Sequence, residues 1–235
     1  MLNRVLRPTR ATLFGLGLLA LSTGAGAQPT ADANGTACDT ADLAEVADRL
    51  ATAFDTHSFV FLGSTHGGVK RHDFLLCLLS RPAFLDAATD IVVEFASGAH
   101  QGLLDRYLIE LESLSPADLR PLALDTDRPE LFATLPQVPA FLEAARRVNE
   151  GLPRPDRIRV LGGNETIRWS AVGTPGDLAP FPFKTNWTAH LIIEHLASDT
   201  ERGVLVVYGD GHIKRGSGTL MSSLEAELDP DRLFV

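Results

Sequence analysis

Apolar positions at Leu43, Val46, Leu50 and Phe54 fall three or four residues apart and put one apolar stripe on a helix between Thr40 and Phe54. The period then changes. Ser58-Phe59-Val60-Phe61-Leu62 is continuously apolar, rich in β-formers and too short for a helix, so it predicts a buried strand that stops at Gly63. Val69 to Ser80 reads as a helix, closed by Arg81-Pro82. The same alternation recurs along the chain. Asp90 to Phe95, Arg157 to Leu161 and Gly203 to Tyr208 predict three more buried strands, the last two stopping at Gly162-Gly163 and at Gly209. Leu103 to Leu111, Phe141 to Val148, Thr188 to Ala197 and Leu220 to Leu228 carry the intervening helices. Leu233-Phe234-Val235 reads as the start of a fifth strand.

Strands alternating with helices imply parallel crossovers. The fold class expected is α/β, a single domain with a mostly parallel sheet and helices on both faces. One stretch breaks the rhythm. Ser115 to Pro139 is Pro-rich, acidic and without a period, so it reads as an excursion or lid over the sheet.

The first residues follow another pattern. Arg4, Arg7 and Arg10 precede an apolar run from Ala11 to Ser22, and Ala25-Gly26-Ala27 is a small-x-small cleavage site. This predicts a secretory signal peptide over 1–27. The run is too short to span a bilayer, and no later segment is apolar enough to do so. A polar, flexible arm is expected over 28–39 and the α/β domain over 40–235, with the domain's C-terminal portion open to truncation at the incipient strand. The location expected is periplasmic or secreted. Losing the three arginines of the leader takes the formal charge from −9 to −12. An acidic chain without a basic run does not suit a nucleic-acid partner. A small molecule or peptide is the expected substrate. Of the two cysteines, Cys38 lies in the polar arm and Cys77 in an apolar helix. Export permits a bridge between them; the alternative is one buried and one exposed thiol.

In parallel sheets, ligands gather where the strands end. Each predicted strand delivers polar groups there: Gly63-Ser64-Thr65-His66 after the first, Glu94 in the second, Asn164 and Glu165 after the third, and Asp210 and His212 after the fourth. His66, Glu94 and His212 are the candidate catalytic residues and also the candidate metal ligands. Imidazole and carboxylate donors suit a divalent cation such as Mn, Co or Zn with one position open to water. Without a metal, His66 would be a general base held by Glu94. His72, Asp73, Asn164 and Asp210 would orient these groups from behind. Plainer roles exist for each. His66 and His212 suit helix caps, Asn164 and Glu165 suit a turn, and His72 and Asp73 suit a solvated helix face. His57, His100, His190 and His195 read as surface or packing residues. His190 to His195 misses the H-x-x-E-H zincin spacing by one residue, and Gly209-Asp210-Gly211 lacks the third glycine of a dinucleotide fingerprint.

The two G-x-x-H motifs, Gly63 to His66 and Gly209 to His212, flanking a strand-terminal Glu94, resemble the superfamily of erythromycin esterase-like proteins, ChaN-like haem-binding proteins and Tiki/TraB metalloproteases. His100-Gln101, Leu104 to Tyr107 and Arg157 to Trp169 are similar to its exported bacterial members. The resemblance covers about residues 56–220. Where erythromycin esterases carry G-E-x-x-H, this chain has Ser64 and Thr65. The resemblance implies an ester or peptide hydrolase using the two histidines and the glutamate, with or without a divalent metal. Its alternative implication is a protein that holds haem or another apolar ligand, with the Pro-rich excursion, Phe181, Phe183 and Trp187 as pocket walls.

Overall fold

The computed structural model describes residues 38, 41–64, 69–165, 167, 169–178, 186–197 and 203–235. The leader expected over 1–27, His66, Phe181 and Phe183 lie outside them.

The chain runs α1 (Ala41–Ala53), β1 (Phe59–Ser64), α2 (Val69–Leu79), α3 (Pro82–Ala87), β2 (Asp90–Ser97) and α4 (Gln101–Leu108). Three one-turn helices follow, α5 (Pro116–Leu119), α6 (Pro121–Leu124) and α7 (Pro129–Phe132), and then α8 (Gln137–Glu150). β3 (Arg159–Asn164) leads to α9 (Asn186–His190), which continues as a π-helical stretch over Leu191–Leu196. β4 (Val204–Gly209), α10 (Asp210–Ile213), α11 (Leu220–Glu225) and β5 (Leu233–Phe234) complete the fold. All five strands are parallel, in the order β3-β2-β4-β1-β5.

Every residue of β2 and β4 is buried. β4 is apolar almost along its length, and β2 is apolar apart from Asp90, Glu94 and Ser97, because both faces are covered. Val60, Ile91, Val93, Leu205 and Val207 face a core built with α1 to α4 and α6 to α8. Phe59, Phe61, Val92, Val204 and Val206 face a second core built with α9, the π-helical stretch, α10 and α11. Helices that follow β1 and β2 thus cover one face, and those that follow β3 and β4 cover the other. β4 lies between β2 and β1, so the chain leaves neighbouring strands toward opposite faces. That divergence opens a crevice at the carboxyl ends of the central strands.

The third strand does not stop at Gly162-Gly163, as its apolar run suggests, but passes through both to Asn164. β2 lies directly against the pair. A Cβ at Gly162 would stand 2.6 Å from the Ser97 carbonyl oxygen, and one at Gly163 would stand 2.8 Å from Val92 Cγ1. These glycines serve close approach rather than a turn.

β3 is an edge strand, and Gln101 covers its open side. The Gln101 Oε1 accepts the Gly162 N–H at 3.0 Å, and its Nε2 donates to the Val160 carbonyl at 3.0 Å. The side-chain amide stands where a neighbouring strand would otherwise pair. Asp105, one turn along α4, accepts from Gln101 Nε2 at 2.9 Å and takes both arms of Arg159 at 3.0 and 2.8 Å.

The Ser115–Pro139 stretch has no period because its helices are single turns. Each opens with proline, where the missing N–H loses no hydrogen bond. Cys38 and Cys77 are joined as a disulfide with their Cα atoms 4.9 Å apart. Among the described residues no helix is long and apolar enough to cross a membrane.

Candidate functional site

Glu94 sits where the β2 ladder breaks. β2 pairs with β4 as far as Val93 opposite Val207, and its register with β3 shifts between Val93 and Ser97. Just beyond that point the Glu94 Oε2 accepts the main-chain N–H of Gly209 at 2.8 Å. The residue is 5% exposed, and the hydrogen bond fixes the direction of its carboxylate. Oε1 lies 3.9 Å from His212 Nε2. That is within ion-pair range and too long for a direct hydrogen bond. His212 belongs to the short helix α10 that begins where β4 ends, and its side chain is about a fifth exposed. The buried carboxylate therefore meets a solvent-reachable imidazole.

Tyr208 supports both groups. Its ring stands edge-on to the His212 ring with centroids 5.5 Å apart. Its hydroxyl donates to the Gly163 carbonyl at 3.1 Å, so the side chain reaches from β4 past β2 to β3. Thr188 Oγ1 donates to the same carbonyl and lies 3.1 Å from the Tyr208 hydroxyl. Burial first, and then the Glu94 charge, push the Tyr208 phenol far above its ordinary range. It stays neutral and acts as a hydrogen-bonding strut.

The β3 end carries a second acidic group. Asn164, nearly fully buried, donates to the Glu94 carbonyl at 2.9 Å and to Asp127 Oδ1 at 2.8 Å, and accepts the Asp127 N–H at 2.8 Å. Asp127 comes from the Pro-rich excursion, and the two residues before it are fastened as well. His100 Nε2 pairs with Asp125 Oδ2 at 2.7 Å, and Trp169 Nε1 donates to the Thr126 carbonyl at 2.7 Å. Three consecutive excursion residues are thus tied down at the end of the sheet. Glu165 is 6% exposed. Its carboxyl accepts the main-chain N–H of Trp187, and Oε1 has no hydrogen-bond partner among the described residues. Burial, with the nearby Asp127 charge, raises the Glu165 carboxyl above its ordinary range despite the Trp187 N–H.

The carboxyl edge of the sheet therefore holds Glu94, His212 and Asn164 together. Asp210 joins them over Gly63, where a Cβ would meet its Oδ1 at 2.5 Å. His72 is buried within α2 and its neighbour Asp73 is exposed. Among the described residues no group of three or more His, Cys, Asp or Glu side chains is arranged to hold a metal ion. Tyr208, Thr188, Asp125, Asp127 and the pairing of His100 are additions to the sequence reading. Asp125 to Asp127 lie in the stretch without periodicity, and Tyr208 reads as one more apolar strand residue.

No family model, curated protein or solved structure matches the chain.

Proposed function

We propose that the chain is a hydrolase of ester or peptide bonds, acting at the carboxyl edge of the sheet through Glu94 and His212 with His66 completing the set. The observation that carries this reading is the pairing of a buried, main-chain-anchored carboxylate with a partly exposed imidazole. The Gly209 N–H holds one Glu94 oxygen and turns the other toward His212. In that arrangement His212 takes a proton from an attacking water, and Glu94 stabilises the imidazolium that forms.

The donor types also suit a divalent cation. An imidazole nitrogen and a carboxylate oxygen 3.9 Å apart match two ligands at about 2.0–2.2 Å from one ion. His66 would be the third ligand, with Mn, Co or Zn as the candidates. When bound, such an ion supplies a water of lowered pKa and a Lewis acid for the substrate carbonyl. The resemblance to the erythromycin esterase-like, ChaN-like and Tiki/TraB superfamily belongs to the same reading.

The test is an ester and peptide panel assayed after chelation and again after adding back Mn, Co or Zn. Activity restored by one ion supports the metal-assisted version. Activity indifferent to chelation leaves His212 as a metal-free base, and no hydrolysis across the panel overturns the reading.

A second reading, an apolar-ligand or haem protein, is favoured by a cavity of about 490 Å³ beside the excursion, lined by Tyr107, Leu114, Leu119, Phe132, Val138 and Leu142. Trp187 is not among its walls; it donates to the Gly162 carbonyl instead. Haem titration followed in the Soret band tests it, and no shift at micromolar haem removes it.

Export to the periplasm or medium is part of the proposal. The Cys38–Cys77 bridge supports it, since such bonds persist in oxidising compartments. N-terminal sequencing of secreted protein should begin at Gln28. Full-length chain recovered in the membrane fraction would replace cleavage with an anchor.

A further inference from the structure

The cavity beside the excursion shares no lining residue with the Glu94–His212 site. Phe132, Val138 and Leu142 are buried and form its floor, while Arg120 and Glu143 are exposed and stand at its mouth. The two charges differ in what they already hold. Glu143 faces Arg147 at 3.6 Å, one turn along α8. Arg120 makes no ion pair or side-chain hydrogen bond among the described residues. Asp118, two residues before it, is taken by the Ser115 hydroxyl at 2.7 Å and the Ser115 main-chain N–H at 2.8 Å. An uncommitted guanidinium therefore stands at the mouth of an apolar cavity.

The walls are braced at both ends. On one side Leu111 takes the left-handed conformation, with φ at 57°, which costs a residue with a side chain free energy unless its surroundings hold it there. Arg146 does so, donating to the carbonyls of Tyr107, Leu111 and Glu112 at 2.6, 2.7 and 2.7 Å. The same guanidinium lies over the Tyr107 ring, 4.8 Å from its centroid, and so fixes that wall. On the other side Asp125, Thr126 and Asp127 are tied down at the end of the sheet. A pocket already braced loses little freedom when a ligand enters.

We propose that this cavity binds an aliphatic carboxylate, with Arg120 gripping the head group at the mouth and the chain lying on Phe132, Val138 and Leu142. The proposal rests on the apolar-ligand reading above and asks nothing of Glu94 or His212. A volume of about 490 Å³ falls within the range of about 300–1,000 Å³ that small-molecule sites occupy. Apolar walls alone would take any hydrocarbon. A planar guanidinium without a carboxylate of its own selects a planar anion, two N–H groups to two oxygens.

Decanoate and 1-decanol share a chain length and differ in the head group, so isothermal titration of each separates charge from hydrophobicity. Decanoate should bind one to one, and 1-decanol about tenfold more weakly. Arg120→Gln should bring decanoate down to the level of 1-decanol and leave 1-decanol unchanged. Ala117→Trp should remove binding of both. Ala117 is an exposed residue of the lining, so a larger side chain there fills the cavity without disturbing the core. Equal affinities for the two ligands, or decanoate binding indifferent to Arg120→Gln, overturn the carboxylate site and leave the apolar-ligand reading standing. Binding unchanged in Ala117→Trp, or many molecules bound per chain, puts the ligand elsewhere and overturns the proposal as well. If the wild type binds neither ligand, the proposal fails, and the haem titration decides the apolar-ligand reading on its own.

Discussion

The Glu94 carboxylate accepts the Gly209 N–H at 2.8 Å, close to where the main-chain ladder between their strands ends at Val93 and Val207. A side chain here takes over the work of a backbone carbonyl. Glu94 therefore has a structural bond and a chemical partner on different oxygens, and the two roles separate by mutation. Glu94→Gln keeps an oxygen for the Gly209 N–H, so its stability should stay within about 1 kcal/mol of wild type while activity is lost. Glu94→Ala leaves that buried N–H unsatisfied and should cost about 1–3 kcal/mol. Urea denaturation of both variants measures the difference. Equal destabilisation by Gln and Ala would mean that the charge itself holds the strand ends together.

Glu165 makes stability depend on pH in a direction that can be worked out. Its carboxyl is raised in the folded chain, by burial first and by Asp127 second. The native state then holds that proton more firmly than the unfolded chain. The contribution is complete below the unfolded value and is lost as pH rises through the folded one. Glu165→Gln has no proton to lose. Its melting temperature should match wild type near about pH 4 and exceed it near about pH 8. A constant offset at both pH values would show that Glu165 does not titrate differently in the folded state.

The strands were legible because both faces of the sheet are buried, which writes most of each one as an apolar run. Glu94 and His212 stood out for the same reason, as polar residues at the ends of such runs. The β3 glycines misled because a close approach by Ser97 and Val92 leaves no mark near residues 162–163. A turn and a tight contact both ask for glycine. The bond from Tyr208 to Gly163 joins residues 45 apart, beyond any local pattern. Asp125 to Asp127 were hidden because single-turn helices opened by proline are too short to show a period. Glu165 meets the main-chain N–H of Trp187, which arrives from another element, so its sequence position alone suggested a turn.

Gln101 and Asp105 guard the β3 edge, and their loss should show in two measurements. Burial raises the Asp105 carboxyl, but the Arg159 fork and the Gln101 amide outweigh it and hold it below its ordinary range. Its contribution is present above the unfolded value and fades as pH falls through the folded one. Asp105→Asn should therefore cost stability at neutral pH and cost nothing in strong acid. The pair is about a third exposed, so the cost is on the order of 1 kcal/mol or less. Gln101→Ala uncovers the Gly162 N–H and Val160 carbonyl, an open edge that invites strand pairing between molecules. Light scattering should rise with concentration for this variant and stay flat for wild type. Flat scattering for both would show that α4 covers the edge without the amide.

The Cys38–Cys77 bridge closes a span of 39 residues around α1 and β1. A cross-link of that length restricts the unfolded chain far more than the folded one. The chain-entropy account gives about 4 kcal/mol for such a loop. Cys77 is fully buried in the α2 core, so replacing it would add a packing loss to the loss of the bond. Cys38, only partly buried, is the cleaner site to change. Urea unfolding of the wild type should shift to lower concentration on adding dithiothreitol. Cys38→Ser should unfold at the reduced wild-type midpoint and should not respond to the reductant. A wild-type midpoint unmoved by reductant would mean that the bridge adds nothing to stability. A Cys38→Ser midpoint well below that of reduced wild type would mean that the Cys38 side chain stabilises the arm through contacts of its own.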